Sequence, residues 1–303
     1  MSTPRPVTVR VPAKVNVQLA VGAARPDGFH DLANVFLAVS LHDEVTATPA
    51  AGLTVTCEGP DADKVPLDRT NLAARAAELL AARHGISPDV HLHIAKDIPV
   101  AGGMAGGSAD GAGALLACDA LWGLDSTRDE LLEICAELGS DVPFSLVGGA
   151  ALGTGRGERL TELPVGGTFH WVFAVADGGL STPTVFGEFD RLTEGVEIPE
   201  PAASPALLDA LRTGDTAALA GALDNDLQAP ALSLRPSLAA TLTAGTEAGA
   251  LAALVSGSGP TTAFLVKDAE TAKTVAAALT ASGTCRTARA ATSPVPGAVV
   301  LTA

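Results

Sequence analysis

The segment from Lys96 to Trp122, KDIPVAGGMAGGSADGAGALLACDALW, carries the strongest chemical signal in the chain. A strand-like run ends before it, Pro99 turns the chain, and an alanine-rich helix is expected around Ser108. The glycines between them are Gly102, Gly103, Gly106 and Gly107. Glycine lets a backbone approach a ligand closely, and the N–H groups and dipole of a helix start favour an anion. The segment therefore predicts a phosphate-binding loop, although a tight helix entry without a ligand has the same pattern. It contains neither the GKS or GKT of a Walker A loop nor the GxGxxG of a dinucleotide fold.

A second glycine cluster lies between two apolar runs and consists of Ser256, Gly257, Ser258, Gly259 and Pro260. Its backbone donors would add to a phosphate site formed by the first loop. Taken alone, such a cluster more often indicates an ordinary hairpin turn.

The strand-like run VRVPAKVNVQL near the N-terminus includes Lys14 and Asn16 among its polar residues. Lys14 and Asn16 are two residues apart and therefore share one face of an extended segment. They face either one cleft, where they would meet a ligand together, or solvent on an edge strand.

The segment RPDGFH, residues 25–30, predicts a turn with an aromatic side chain and a histidine at its exit. Phe29 would supply a stacking face and His30 a hydrogen-bonding edge, the two parts that grip a nucleobase. A lone histidine is more often structural or simply exposed, so both interpretations stay open.

Asp141 lies in the segment LGSDVPFSLVGG, residues 138–149. Gly139 before it ends a helix, and Pro143 after it prevents the helix from continuing in register. The carboxylate either caps the following turn or acts as a general base paired with a lysine. The sequence alone does not place Lys14 beside it.

Capping signals predict four helices, and alternation predicts seven short strands. The helices are expected from Asn71 to the stop at Gly85, from the capping box of Thr127 and Glu130 to Gly139, from Ser204, and from Asp268 to about Ser282. The strands are expected at 7–11, 15–21, 53–57, 90–95, 150–153, 171–175 and 263–266. Strands predominate in the N-terminal part of the chain and helices are scattered between them, which indicates an α+β fold. A glycine-rich polar stretch at 153–168 predicts a boundary between a domain of residues 1–160 and one of residues 161–303.

The composition excludes several classes of protein. With 303 residues, 47% hydrophobic and 17% charged, the chain can bury a full core, which rules out disorder and a disulfide scaffold. A formal charge of −15 repels nucleic-acid backbones and anionic lipid surfaces, so neither is an expected partner. The uncharged run at 248–266 contains SGSGPTT and predicts two buried strands and a loop, not a membrane helix. Widely spaced cysteines and a start without an apolar segment indicate reduced thiols in a cytoplasmic protein.

Taken in order, PAKVN, RPDGFH, PVAGGMAGGSAD, LGSDVP and SGSGP resemble the motifs of the GHMP small-molecule kinase superfamily, named after galactokinase, homoserine kinase, mevalonate kinase and phosphomevalonate kinase. With the later STPTVF, the match is nearer to the branch that acts on 4-diphosphocytidyl-2-C-methyl-D-erythritol. The resemblance spans Pro12 to Pro260. It implies a two-domain GHMP kinase fold: an N-terminal domain like domain 2 of ribosomal protein S5, a C-terminal α/β sandwich domain, and an active site in the cleft between them.

The resemblance also implies ATP-dependent phosphorylation of the C2 hydroxyl of that substrate, with Mg²⁺, on the non-mevalonate route to isoprenoids. Asp141 would be the catalytic base and Lys14 its charged neighbour. The substrate would be bound by Asn16, Phe29, His30, Thr182 and Phe186. ATP would be bound by Asn71, Lys96, Pro99, Gly102, Gly103, Gly106, Gly107 and Ser108, with support from Ser256, Gly257, Ser258 and Gly259. The expected partners are these small molecules, in a monomer or a homodimer.

Two positions depart from the family. The nearer branch often has asparagine where Asp110 stands, so Asp110 is not assigned to the nucleotide, and it often has tyrosine where Phe29 stands. The alternatives are a GHMP kinase of homoserine or mevalonate type, whose substrates carry no nucleobase, and a non-catalytic ligand sensor with the same fold. A dinucleotide-dependent oxidoreductase would need a Rossmann fingerprint, which the sequence does not contain.

Overall fold

Two β-sheets with helices packed on them make up residues 5–301, the part of the chain described by the structure, a computed structural model. In chain order the strands are β1 (Val7–Ala24), β2 (His30–Pro49), β3 (Thr54–Glu58), β4 (Val90–Ala95), β5 (Ala150–Thr154), β6 (Arg159–Glu162), β7 (Phe169–Val175), β8 (Asp224–Asn225), β9 (Ala252–Val255), β10 (Thr262–Val266), β11 (Thr287–Ser293) and β12 (Val299–Leu301). The helices are α1 (Leu72–His84), α2 (Gly106–Trp122), α3 (Arg128–Leu138), α4 (Val142–Val147), α5 (Thr182–Leu192), α6 (Pro205–Thr213), α7 (Thr216–Ala222), α8 (Gln228–Leu234), α9 (Leu238–Glu247) and α10 (Ala269–Ser282). A short 3-10 helix spans Ala62–Lys64.

The first sheet is built on the long hairpin of β1 and β2, which the turn at residues 25–29 connects. Its main path has the order β12-β1-β2-β4-β3, β5 adds to β2, β6 to β5, and β8 runs parallel to β1. Valine at every second position over much of β1 favours a strand with one face against a core. Because β8 and β12 come from the second half of the chain, both halves contribute to this sheet.

Helix α2 lies close to the first sheet because small residues face β1 and β2. A Cβ on Gly113 would lie 2.9 Å from Cγ2 of Val45 and 3.2 Å from Cγ1 of Val11, so even alanine would push the helix outward. This close approach determines where the first residue of α2, Gly106, stands relative to β1.

The second sheet is antiparallel, with the order β11-β7-β10-β9. One apolar cluster connects the two sheets, since it includes Val35 and Val39 of β2 as well as Trp171 and Phe173 of β7. The N–H group of Thr292 in β11 also donates to Ser40 Oγ of β2 at 2.8 Å. The sheets are therefore packed together, and a cleft opens beside their contact.

The four predicted helices are confirmed as α1, α3, α6 and α10, and the capping box of Thr127 and Glu130 forms as expected. The predicted strands at 7–11 and 15–21 are parts of one strand, because a register shift between Pro12 and Ala13 lets the pairing continue. The run at 248–266 forms β9, a turn and β10, as predicted. The sequence pattern does not reveal β2, because the first half of this strand is buried on both faces and lacks alternation. The division at 160/161 stays a prediction, and β6 crosses it.

A buried ion cluster, which we call the Lys96 triad, joins Lys96 to Asp43 and Asp110. Lys96 Nζ lies 2.5 Å from Asp43 Oδ2 and 2.9 Å from Asp110 Oδ2, and Asp43 Oδ1 accepts from the N–H groups of Asp97 and Ile98. Burial raises the pKa of Asp110, the Asp43 carboxylate adds to this shift, and the Lys96 ammonium group opposes it. Burial acts to lower the pKa of Lys96, but the two carboxylates outweigh burial and the pKa lies above its usual value. The triad ties β2 to the residues before the glycine loop and to α2.

We expect Asp43→Ala to lower the free energy of unfolding by about 3–5 kcal/mol, because it removes a partner of a buried ammonium ion and leaves two backbone N–H groups unpaired. Glu44→Ala on the same strand should cost less than about 1 kcal/mol, since the Arg10–Glu44 ion pair is exposed. Urea denaturation measures both changes. A loss at Asp43 no larger than the loss at Glu44 would contradict a stabilising role for the triad.

Candidate active site

A cavity of about 720 Å³ opens in the cleft beside the contact of the two sheets. Its walls come from β1, β2, the glycine loop at residues 99–107, the starts of α2 and α5, and the turn between β9 and β10. The predicted residues that line it are Lys14, Asn16, Phe29, His30, Gly102, Gly103, Gly106, Gly107, Ser108, Asp141, Thr182, Phe186, Gly257, Ser258 and Gly259. Most candidates, although far apart in sequence, therefore meet at one place.

The glycine loop ends at the first turn of α2, whose N–H groups at residues 106–108 face no side-chain cap. The N-cap residue, Ala105, has a left-handed conformation and only a methyl side chain. The first N–H groups of a helix have no partner within the helix, and together with the dipole they attract anions. The start of this 17-residue helix therefore provides an anion site that opens into the cavity.

Lys14 of β1 and Asp141, the residue before α4, form the charged centre of the cavity. Lys14 Nζ lies 3.6 Å from Asp141 Oδ2, and it donates to Asn16 Oδ1 at 2.6 Å and to the Gly103 carbonyl oxygen at 3.0 Å. Burial lowers the pKa of Lys14, and the Asp141 carboxylate offsets part of that effect. Although Asp141 is the N-cap residue of α4, its side chain caps no N–H group and is 31% exposed. The carboxylate is thus accessible to a molecule in the cavity.

The second glycine cluster is both a hairpin turn and a wall of the cavity. Ser256 Oγ donates to the Gly103 carbonyl oxygen at 3.1 Å. Gly103 has φ +74°, and a Cβ there would lie 2.2 Å from the Ser256 carbonyl oxygen. A Cβ on Gly257 would lie 3.0 Å from Asn16 Oδ1. The turn, the glycine loop and β1 therefore meet without space for side chains between them.

An aromatic group forms a further part of the cavity wall. His30 is buried and stacks on Phe186 of α5, with ring centroids 5.0 Å apart. Its Nε2 lies 2.8 Å from Asp190 Oδ1, and because a carboxylate accepts, this contact favours the proton on Nε2. Phe29 is 48% exposed, and the Arg156 guanidinium lies 5.0 Å from its ring centroid. The cavity therefore presents aromatic faces beside an oriented imidazole.

Three of the residues expected to contact ATP do not line the cavity: Asn71, Lys96 and Pro99. Asn71 caps α1, since its Oδ1 accepts from the Ala73 N–H group and its Nδ2 donates to the Pro66 carbonyl oxygen. Lys96 is held in the Lys96 triad, and Pro99 is buried. Direct contact of these three residues with ATP stays a prediction, and the lining of the cavity does not support it.

Sequence reasoning did not identify Arg156, Asp190 and Asn34, which also line the cavity. Weak signals exist for each of them. Asp190 follows Phe186 by four positions on α5 and shares its helix face, and Asn34 follows His30 by four positions on a strand and shares its sheet face. Arg156 stands alone as a cation among glycines in GTGRGE.

Comparisons with known proteins agree on one family. The profile of the GHMP kinases N terminal domain matches residues 71–149, and the profile of GHMP kinases C terminal matches residues 207–285. A 4-diphosphocytidyl-2-C-methyl-D-erythritol kinase of Streptomyces avermitilis is 80% identical over 295 residues, which are 97% of this chain and 99% of the relative.

Solved structures show the same fold. The crystal structure of a 4-(cytidine 5′-diphospho)-2C-methyl-D-erythritol kinase has a TM-score of 0.77 at 32% identity, covering 95% of this chain and 99% of that one. A homoserine kinase from Cytophaga hutchinsonii has a TM-score of 0.76 at 20% identity, covering 99% of each chain, and shows the fold alone. The expected two-domain α+β fold is confirmed. The chain belongs to the GHMP kinase family, and within it to the branch of the 4-diphosphocytidyl-2-C-methyl-D-erythritol kinases.

Proposed function

We propose that this protein transfers the γ-phosphoryl group of ATP to the C2 hydroxyl of 4-diphosphocytidyl-2-C-methyl-D-erythritol, on the non-mevalonate route to isoprenoids. The observation that carries the proposal is the Lys14–Asp141 pair, 3.6 Å apart, in one cavity with the glycine loop and the His30–Phe186 stack. A non-catalytic sensor has no need of such a pair. A homoserine or mevalonate kinase has no need of an aromatic binding site for a base, because neither substrate carries a nucleobase.

The glycine loop and the first turn of α2 hold the phosphates of ATP through backbone N–H groups, and the Ser108 hydroxyl adds a donor. The turn at residues 256–259 supports this loop from the other side. Phosphoryl transfer has a loose transition state, so positioning the reactants and stabilising oxygen charge supply most of the catalysis. A backbone cradle supplies both without a large rearrangement.

Asp141 acts as the base in the transfer step. The C2 oxygen forms a bond to the γ-phosphorus, its proton passes to the Asp141 carboxylate, and the bond from the γ-phosphorus to the bridging oxygen breaks to release ADP. Lys14 Nζ lies 3.6 Å from Asp141 Oδ2, so the ammonium group is next to the carboxylate that accepts the proton. This ammonium group also stabilises negative charge on the transferred group.

Mg²⁺ accompanies ATP in this proposal. The ion is usually bound by one or two carboxylates together with phosphates and water. Within residues 5–301 no group of three His, Cys, Asp or Glu side chains is arranged to hold a metal. The Ser108 hydroxyl lines the cavity and would supply a protein oxygen to the ion. When bound, the ion neutralises phosphate charge.

The aromatic part of the cavity holds the cytidyl group, with the cytosine ring between Phe29 and Phe186. Because Asp190 engages Nε2 of His30, the other ring nitrogen, Nδ1, accepts from the exocyclic amine of cytosine. Asn16 holds the methylerythritol end, and Thr182, at the start of α5, is a further substrate-binding residue of the cavity.

Asn71, Lys96 and Pro99 act indirectly in this proposal. Asn71 fixes the start of α1, where Leu72 lines the cavity. Lys96 packs next to Gly106 at the start of α2, and Pro99 packs next to Gly102 within the glycine loop. Within residues 5–301 no helix has the length and apolarity to cross a membrane. We propose a cytoplasmic enzyme whose partners are small molecules, as a monomer or a homodimer.

The proposal predicts ADP release with ATP, Mg²⁺ and 4-diphosphocytidyl-2-C-methyl-D-erythritol. The same molecule without its cytidyl group should give a kcat/KM at least about a hundredfold lower, since it loses the stacking and edge contacts. A coupled ADP assay measures both. Equal turnover of the two molecules would contradict the role of the aromatic group, and turnover of neither would contradict the proposed substrate.

Asp141→Asn should lower kcat by about 10²–10⁴-fold, because an amide does not accept the proton. Binding of both substrates, measured by calorimetry, should change little. Asp119→Asn is a matched control, since Asp119 on α2 accepts from the Ser126 N–H group outside the cavity. A folded Asp141→Asn protein with near-normal turnover would rule out Asp141 as the base.

Asp190→Asn should weaken discrimination between cytidyl and uridyl forms of the substrate by about tenfold. The amide no longer requires the proton on Nε2 of His30, so Nδ1 can carry it and donate to the uracil oxygen. The ratio of kcat/KM values for the two forms measures this. Asp31→Asn, which alters an exposed pair with Arg25, should keep the wild-type ratio. If Asp190→Asn keeps it as well, the carboxylate does not set the tautomer.

A further inference from the structure

Asn34 of β2 is a buried polar side chain that lines the cavity beside the catalytic pair. It lies opposite Leu19 of β1 and Gly153 of β5 in the sheet register. Its Oδ1 accepts from Asn16 Nδ2 at 2.7 Å. Asn34 is therefore connected through Asn16 to Lys14.

The chemistry of Lys14 determines the orientation of both amides. An ammonium ion has donors and no acceptor, so the oxygen of Asn16 must face Lys14 Nζ, 2.6 Å away. The amide nitrogen of Asn16 then faces Asn34, which must present its own oxygen in return. The NH₂ group of Asn34 is consequently turned away from Asn16.

This NH₂ group has no hydrogen-bond acceptor among the side chains and backbone groups of residues 5–301. It lies 4.0 Å from the point that a Cβ on Gly157 would occupy, so this glycine leaves the amide uncovered. Because Asn34 lines the cavity, this NH₂ group is open to a ligand oxygen that would accept from it. The two N–H groups are thus oriented donors in the cavity wall.

Asn34 also has a defined place between the two ends of the proposed substrate. Asn16 connects it to Lys14 at the reacting end, and Gly157 is next to Arg156, which lies against Phe29 at the cytosine end. The part of the substrate between its reacting hydroxyl and its base includes the diphosphate. Phosphate oxygens are strong acceptors, and hydrogen bonds to charged groups are the stronger ones.

We propose that Asn34 is a further substrate-binding residue, whose NH₂ group donates to a phosphate oxygen of the diphosphate of the cytidyl substrate. This inference rests on the proposed function, because it takes the substrate from there. Asn34 contacts the substrate directly, and Asn16 holds it in the orientation needed to donate.

Two variants separate donation to the substrate from support of Asn16. Asn34→Asp keeps an oxygen for Asn16 but replaces the donor by a second oxygen, and Asn34→Ser is a small neutral change that removes the amide. Both should raise KM for the cytidyl substrate about tenfold or more, with KM for ATP and kcat within about threefold of wild type. Gln18→Glu is the matched control. Gln18 is a buried amide on the same sheet, outside the cavity and bonded at both ends to backbone groups.

Calorimetry of the wild type and both variants with cytidine 5′-diphosphate and with cytidine tests the diphosphate contact without turnover. The variants should bind cytidine 5′-diphosphate about tenfold or more weakly and cytidine as the wild type does. Unchanged affinity for cytidine 5′-diphosphate in the folded variants would overturn the inference, as would an effect confined to kcat. If the wild-type protein binds cytidine 5′-diphosphate but does not turn over the full substrate, the proposed function fails and the binding result still decides the role of Asn34.

Discussion

The carbonyl oxygen of Gly103 is the point at which three separate parts of the chain are joined. It accepts from Lys14 Nζ of β1 and from Ser256 Oγ of the second turn, at 3.0 and 3.1 Å. Because a Cβ on Gly103 would lie 2.2 Å from the Ser256 carbonyl oxygen, this junction forms only if the residue is glycine. The position of the charged centre relative to the phosphate loop depends on this backbone contact.

The two buried lysines of the site region have opposite environments, and this separates their roles. Lys96 has two carboxylate partners, which keep it charged beneath the loop, where a Cβ on Gly106 would lie 3.1 Å from its Nζ. Lys14 has a single carboxylate at 3.6 Å, and burial lowers its pKa. A lysine with satisfied partners holds structure in place. Lys14, with one carboxylate partner, lines the cavity, and this explains how a chain with a formal charge of −15 offers local positive charge to phosphates.

Polar side chains connect the parts of the cavity that serve the two ends of the proposed substrate. The series runs from Asp141, the residue before α4, to Lys14 and Asn16 of β1 and on to Asn34 of β2. Strands hold side chains more rigidly than loops, so the three members on this hairpin are preorganised before a ligand arrives. The aromatic group at His30 is fixed in a similar way, since α5 supplies both Phe186 and Asp190.

The sequence by itself determined the local features of this protein. Each of these features depends on residues a few positions apart, so each is visible in the sequence. They are the capping box at Thr127, the helix end at Gly85, the glycine loop before α2 and the shared face of Lys14 and Asn16. The order of the motifs also carried the family resemblance. Only the tertiary structure decided which side chains meet. It placed Asp141 beside Lys14. It gave Lys96 and Asn71 protein partners outside the lining of the cavity, and it added Asn34, Arg156 and Asp190 to that lining. These outcomes depend on the packing of two sheets from distant parts of the chain, and no local pattern encodes a contact of that kind.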